Sequence, residues 1–157
     1  KLFAENTASD GTLYINHSIP NYHEISDGLS CNVITFGLDQ NADFHPINIT
    51  YDDLGHPSFT PVAFGKELDT IYLSVPGEHN VSNSLSAIAA LMDMGIPYDT
   101  IQNGLDNFTG TGRDAPIGKT GSHFVTDCHR HCCPCLCAFI PAGTAANRTG
   151  SLYSATA

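Results

Sequence analysis

The chain has 157 residues, a formal net charge of −10 and a hydrophobic content of 41%. This length and composition predict one soluble globular domain with a real core. The acidic balance argues against a nucleic-acid-binding protein, because phosphates need a basic surface. No apolar run reaches about 18 residues, which argues against a membrane span.

Charge and cysteine are unevenly distributed along the chain. Residues 1–112 carry two Lys and fourteen Asp or Glu, whereas residues 113–157 carry four Lys or Arg and two Asp. Cys31 stands alone, and the other five cysteines lie between Cys128 and Cys137. These shifts predict a boundary near Arg113, with an irregular tail after it.

The first half of the chain predicts a strand, a helix and a second strand. Residues 12–16 (TLYIN) and 32–36 (NVITF) are short β-rich runs, and residues 21–29 have the length of about two helical turns. This order and spacing predict a βαβ unit in a parallel sheet. Three further strands follow, near residues 45–53, 58–64 and 69–75, and their short polar turns predict an antiparallel meander. Pro61 inside the middle strand predicts that this strand lies at an edge.

Two helices are expected after the meander. From about residue 80, apolar side chains recur at helical spacing on one face, and Gly95 is placed to end the helix at C′. Pro97 then opens a second, shorter helix. The two apolar faces are Val81, Leu85, Ile88 and Met92 in the first helix, and Ile101, Leu105 and Phe108 in the second.

A group of polar residues, His79, Asn80 and Asn83, lies at the start of the first of these helices. Residues three or four apart share a helix face, so His79 and Asn83 can point the same way. A carboxamide offers both donors and an acceptor, which suits the edge of a purine. Capping of the helix by Asn80 or its neighbours is the commoner use of such residues, and the spacing by itself favours it.

The cysteine-rich tail offers a second kind of site. Cys128, His129, His131, Cys132 and the cysteines up to Cys137 are soft metal ligands. Structural zinc sites use two separated pairs so that a loop can wrap the ion, and here all ligands fall in one short run. A small Cys/His-tail metal-binding protein is therefore kept as an alternative, and it is disfavoured by the spacing.

Several segments carry a resemblance to the Mur ligases. They are GTLYIN, IPNY, CNVITFG, NITYDDLGHPSF, LSVPGEHNVSNSLSAIAALMDMGI and FTGTGR, they occur in family order, and they cover residues 2–113. The resemblance implies the second half of the family's central ATPase domain: a strand-helix-strand unit, a small antiparallel meander and two helices, followed here by an irregular tail. It divides the chain into a partial ATP-binding domain (residues 1–109), a linker (110–113) and an aberrant or disordered tail (114–157).

The resemblance implies a role in cytoplasmic peptidoglycan-precursor synthesis. The family forms an amide bond at the expense of ATP and Mg²⁺, and the similarity points to the branch that adds L-alanine to UDP-N-acetylmuramate. By this likeness His79, Asn80 and Asn83 lie near the ATP adenine, and Arg113 takes a position close to the ATP phosphates. The phosphate loop and the magnesium ligands would lie before Lys1, so no catalytic residue is assigned here.

The chain departs from the family after Arg113. The family continues with a second Arg, where this chain has Asp114, and its Asp-Asp-Tyr-Ala-His-His-Pro segment is absent. We therefore expect residues 114–157 to be out-of-frame or chimeric sequence, and the fragment to be inactive alone. A non-functional translated product remains the further alternative.

Overall fold

The computed structural model describes residues 1–2 and 4–110, and the backbone of a short strand at residues 138–140. These residues form an α/β fold, which confirms the predicted class. The strands are β1 (Thr12–Asn16), β2 (Asn32–Phe36), β3 (Phe44–Tyr51), β4 (Pro57–Ala63), β5 (Lys66–Glu67), β6 (Ile71–Tyr72) and β7 (Ala138–Ile140). The helices are α1 (Tyr22–Ser26), α2 (Glu78–Asp93) and α3 (Tyr98–Asp106), preceded by a 3₁₀ turn at Ala4–Asn6.

The strands of the described residues form one sheet in the order β5-β4-β3-β2-β1-β7, with β6 also paired to β4. β1 and β2 are parallel from Thr12↔Asn32 to Asn16↔Phe36, which confirms the βαβ unit. β3 is parallel to β2 only at Phe36↔Phe44. The antiparallel β3–β4 ribbon therefore starts where the parallel strands end, and it projects beyond their carboxyl edge.

The meander forms as predicted, but its strand pairing is less regular than the alternation of apolar and polar residues in its sequence implies. The register of the β3–β4 ladder shifts between Ile47 and Thr50, where Asn48 has a left-handed φ of 55°. Such a bulge interrupts the two-residue alternation of faces. Ile49 consequently packs against the core, while Tyr51 is 48% exposed.

Pro61 does not lie in an edge strand, so that prediction was wrong. β4 pairs with β3 on one side and with β5 and β6 on the other. Pro61 stands opposite Pro46, and its carbonyl accepts the Leu68 N–H on the other side at 2.8 Å. Because the N–H and C=O of one strand residue point the same way, the missing N–H of Pro61 faces the gap between β5 and β6. Of the expected third strand near residues 69–75, only Ile71–Tyr72 (β6) forms, and β5 lies before it.

β7 lies on the outer edge of β1. Its residues 138–140 pair antiparallel with Tyr14 to Thr12. The segment predicted as an irregular tail thus contributes one short strand, which covers part of an edge that would otherwise present unpaired backbone groups. The rest of that segment lies outside the described residues.

The core forms between one face of the sheet and α2. Val81, Leu85 and Ile88 are fully buried, and Met92 is partly buried, as the predicted stripe requires. Burial of each large apolar side chain stabilises the fold by roughly 1.5–3 kcal/mol. The partners of α2 in the core include Tyr14, Ile34, Phe36, Phe44, Phe59, Ile71, Leu73 and, from α3, Ile101.

The carboxyl end of α2 is closed in two ways. The N–H of Gly95 (φ 78°) donates to Met92 O, and the N–H of Ile96 donates to Leu91 O, which together form a Schellman cap. On the sheet side, the Asp93 carboxylate accepts the hydroxyl of Thr12 at 2.9 Å and that of Tyr14 at 2.5 Å. Burial and the neighbouring Asp93 raise the pKa of Tyr14, so its hydroxyl stays a donor.

Candidate functional site

The amino end of α2 begins at a glycine corner. Gly77 is the N-cap residue, with φ 104° and ψ 141°, a conformation that residues with a Cβ rarely adopt. Its N–H donates to Gly55 O at 3.1 Å, and its carbonyl accepts the N–H of Asn80 at 3.0 Å. The Pro76-Gly77 pair therefore turns the chain sharply from Leu73, which is buried, into the helix.

His79, in the first turn of α2, and Asn83, in the second, both lie on its exposed face. The His79 imidazole packs directly over Gly77: a Cβ added to that glycine would lie 2.7 Å from His79 Cε1. The opposite face of the turn carries Val81, which is fully buried. The helix thus holds an imidazole and a carboxamide, four residues apart, toward solvent above a corner that has no side chain.

Asn80 is placed differently from the other two. It occupies the third helical position, and its Nδ2 donates to the carbonyl of Pro76 at 2.8 Å. The N-cap is Gly77, so Asn80 does not cap α2 in the usual sense of accepting the orphan N–H groups. Its carboxamide instead closes the turn that precedes the helix.

A rigid turn between β3 and β4 supports this corner. The Asp52 carboxylate accepts the N–H groups of Leu54 (2.9 Å) and His56 (2.8 Å), and it contacts His56 Nδ1 at 2.9 Å. The backbone N–H of His56 is the main reason that the pKa of Asp52 lies below its usual value. The turn presents the Gly55 carbonyl to Gly77, so its shape decides where α2 begins.

Polar groups also meet at the carboxyl edge of the parallel strands. Asn16, the last residue of β1, is buried; it accepts hydrogen bonds from Ser18 and contacts Ser82 of α2. Beside it, His17 Nδ1 lies 3.5 Å from the carboxylate of Asp39. The carboxyl edge is where open α/β sheets bind ligands. The sequence reasoning missed Asn16 and Ser82, although a polar residue that ends an apolar parallel strand is a usable signal.

An open depression of about 370 Å³ lies on the meander, and its lining includes Asp52 and His56 of the turn that supports the α2 corner. Residues of β3, β4 and β6 line it, among them the exposed rings of Tyr51 and Tyr72. Neither His79 nor Asn83 contributes to it.

The remaining predicted site features differ in what can be described. Arg113 and the Cys/His cluster at residues 128–137 lie outside the described residues. Within the described part of the chain, no group of three or more His, Cys, Asp or Glu side chains could hold a metal ion. Among the same described residues, no helix has the length and apolarity of a membrane span.

The sequence was compared with protein families and curated proteins. The model of the Mur ligase middle domain matches residues 1–91. A UDP-N-acetylmuramate–L-alanine ligase of Agathobacter rectalis is 43% identical over 130 residues, which cover 82% of this chain and 28% of the relative. The same enzyme of Lachnospira eligens is 46% identical over 114 residues, or 72% of this chain and 25% of the relative. The chain thus spans about a quarter of the length of these relatives. The alignment with the Agathobacter rectalis ligase covers 82% of the chain, so it extends past Arg113 and beyond the segments that carry the resemblance.

Solved structures show the same fold. A UDP-N-acetylmuramate:L-alanyl-gamma-D-glutamyl-meso-diaminopimelate ligase from Neisseria meningitides superposes with a TM-score of 0.57 at 22% identity, over 68% of this chain and 31% of that one. A UDP-N-acetylmuramoylalanyl-D-glutamyl-2,6-diaminopimelate–D-alanyl-D-alanyl ligase from Acinetobacter baumannii gives 0.54 at 21% identity, over 62% and 21%. With the family model on more than half of its residues and these relatives beside it, the chain belongs to the Mur ligase family.

Proposed function

We propose that this chain is the adenine-side part of an ATP-dependent ligase that adds L-alanine to UDP-N-acetylmuramate. The observation that carries the proposal is the exposed pair His79 and Asn83 in the first two turns of α2, in a chain 43% identical to such a ligase over 130 residues. The work of this region is to hold the nucleotide base. None of its described side chains is assigned to the chemical step.

The side chains of His79 and Asn83 suit one edge of adenine. Asn83 offers an amide donor and a carbonyl acceptor, which can pair with a ring nitrogen and the exocyclic amine of a purine. The His79 ring, held over Gly77, provides a flat surface and a polar nitrogen beside it. Asn80 is proposed as the third adenine-side residue, and its Nδ2 is held by the Pro76 carbonyl.

ATP supplies the phosphoryl group that activates a carboxylate for attack by the amine of the amino acid. We propose that Arg113 follows the base-binding region and reaches the phosphates. Mg²⁺ belongs to the proposed reaction, and its ligands belong to parts of the protein other than the described residues. Residues 1–109 are proposed as part of the ATP-binding domain, 110–113 as a linker and 114–157 as an aberrant tail, in a cytoplasmic protein.

Titration of the 157-residue chain with ATP, followed by amide chemical shifts, tests this assignment. We expect binding in roughly the millimolar range, as befits a site with only its base side present. The shifts should concentrate in the first two turns of α2, and UTP should cause smaller ones. His79→Ala and Asn83→Ala should each weaken binding by about fivefold to tenfold, the worth of one or two hydrogen bonds.

Matched controls exist elsewhere in the chain. His23 is an exposed histidine on α1, and Asn103 is an exposed asparagine whose amide bonds to a carbonyl of α3. His23→Ala and Asn103→Ala should leave ATP affinity unchanged. Absence of binding by a folded chain, or equal losses in the controls, would contradict the proposal. Stoichiometric zinc without ATP affinity would favour the metal-binding alternative instead.

A further inference from the structure

Asn16 is a polar residue at the end of a strand that is buried throughout. Only 5% of its surface is exposed, and the preceding residues Leu13, Tyr14 and Ile15 are almost fully buried. A buried carboxamide is costly unless its donors and acceptors are partnered. The contacts that it makes therefore explain why it is tolerated at this position.

The orientation of the Asn16 carboxamide follows from Ser18. The Ser18 backbone N–H, which can only donate, lies 2.9 Å from one carboxamide atom, and the Ser18 hydroxyl lies 2.8 Å from the same atom. That atom must be the oxygen, Oδ1. The nitrogen, Nδ2, consequently points to the hydroxyl of Ser82 on α2 at 3.5 Å, the outer limit of a hydrogen bond.

The end of β2 is shaped to make room for this group. Gly37 directly follows β2, and a Cβ added to it would lie 3.1 Å from Asn16 Oδ1. The N–H of His17 donates to Phe36 O at 2.8 Å, which keeps the two strand ends together. The carboxamide is thus enclosed by the ends of both parallel strands, with α2 above it.

Ser82 lies between the two residues of the proposed base site. It is one helical turn after His79 and directly precedes Asn83 in α2. We infer that Asn16 is a positioning residue: through Ser82 it sets the height and rotation of the first two turns of α2 on the sheet, and so the place where His79 and Asn83 meet the base. The nucleotide part of this inference rests on the function proposed above.

Asn16→Ala in the 157-residue chain tests the inference, with Tyr14→Phe as the control. Tyr14 tethers the same strand to the other end of α2 through Asp93. Asn16→Ala should weaken ATP binding by about threefold, in the lower part of the range for one hydrogen bond because the contact to Ser82 is long. Tyr14→Phe should change it less than twofold, whatever its effect on the free energy of unfolding.

A conservative variant separates positioning from simple packing. In Asn16→Asp the carboxylate still accepts the two hydrogen bonds from Ser18. It can also accept a hydrogen bond from the Ser82 hydroxyl, which is the acceptor in the wild type and becomes the donor. Asn16→Asp should therefore recover ATP affinity to within about twofold of wild type. Loss of affinity in Asn16→Asp equal to that in Asn16→Ala would overturn the inference, as would an unchanged affinity in Asn16→Ala.

Amide hydrogen exchange distinguishes this failure from failure of the proposed function. Asn16→Ala should speed exchange in the first two turns of α2, whereas Tyr14→Phe should speed it in the last turn. If the folded wild-type chain does not bind ATP, the proposed function fails, and exchange alone decides whether Asn16 positions the first two turns. Equal exchange in wild type and Asn16→Ala overturns that role in either case.

Discussion

The two ends of α2 meet the sheet through polar side chains, but they are built for different purposes. At the carboxyl end, the hydroxyls of Thr12 and Tyr14 both donate to Asp93, so the polar groups partner one another. At the amino end, the glycine corner keeps the approach open, and His79 and Asn83 face outward. One end is closed on itself and serves stability, while the other leaves side chains available to a ligand.

Electrostatics sharpens the same contrast. A carboxylate near a helix carboxyl end is disfavoured by the helix dipole, so Asp93 depends on its two hydroxyl donors. Glu78 in the first turn is favoured by the same dipole. The dipole therefore favours the charge at the amino end, and we expect its exposed side chains to contribute little to the free energy of unfolding.

Removal of the Asp93 carboxylate, which ties the carboxyl end of α2 to β1, should have the largest effect on stability. Asp93→Ala leaves the hydroxyls of Thr12 and Tyr14 without their acceptor in a buried place, which should lower the free energy of unfolding by about 2–4 kcal/mol. Urea denaturation measures this loss. His79→Ala is the matched variant at the other end, and its free energy of unfolding should stay within about 0.5 kcal/mol of wild type, as expected for an exposed side chain. An equal loss in both variants would contradict the division between the two ends.

The two glycines that bound α2 provide an intermediate test. Gly77→Ala combines an unfavourable backbone conformation with a Cβ 2.7 Å from the His79 ring, and it should cost about 2–3 kcal/mol. Gly95→Ala has a similarly positive φ of 78° but open space around its Cβ, so it should cost only about 1–2 kcal/mol. Thermal unfolding compares the two. The NMR signals of the His79 ring should shift in Gly77→Ala and not in Gly95→Ala. A shift in Gly95→Ala would contradict the packing of the His79 ring over Gly77.

The smallest expected effect concerns the turn between Asp52 and His56, which supports Gly77 at the start of α2. The pKa of Asp52 is depressed, chiefly by the N–H of His56, so the turn is stabilised above the ordinary carboxyl pKa of about 3.9 and loosens as the pH falls through the lower folded value. The Asp52 carboxyl signal should titrate below about 3.9, and the Gly77 amide signal should move with it. In Asp52→Asn that acid-induced movement of the Gly77 signal should disappear. A midpoint at or above the ordinary value would show that the turn is not held by Asp52.

Local sequence predicted the elements whose signals are local. β1 and β2 begin and end at the predicted residues, because each is an apolar β-rich run bounded by Gly or polar residues. The apolar stripe of α2 and its glycine stop are equally local, since helical spacing and a positive φ act within one turn. The motif around His79 also identified the family without any tertiary information.

Tertiary structure alone decided the features that join distant segments. Pro61 lies in an interior strand because the partner strands β5 and β6 leave a gap opposite its missing N–H, which no local pattern reveals. Asn16 and Ser82 are 66 residues apart, and Tyr14 and Asp93 are 79 apart, so no local pattern reveals which residues pair. By itself the sequence determined which segments become strands and helices, and which side chains begin α2. Packing of α2 on β1 decided which of its polar ends was closed and which stayed open, because that depends on contacts between residues far apart in the chain.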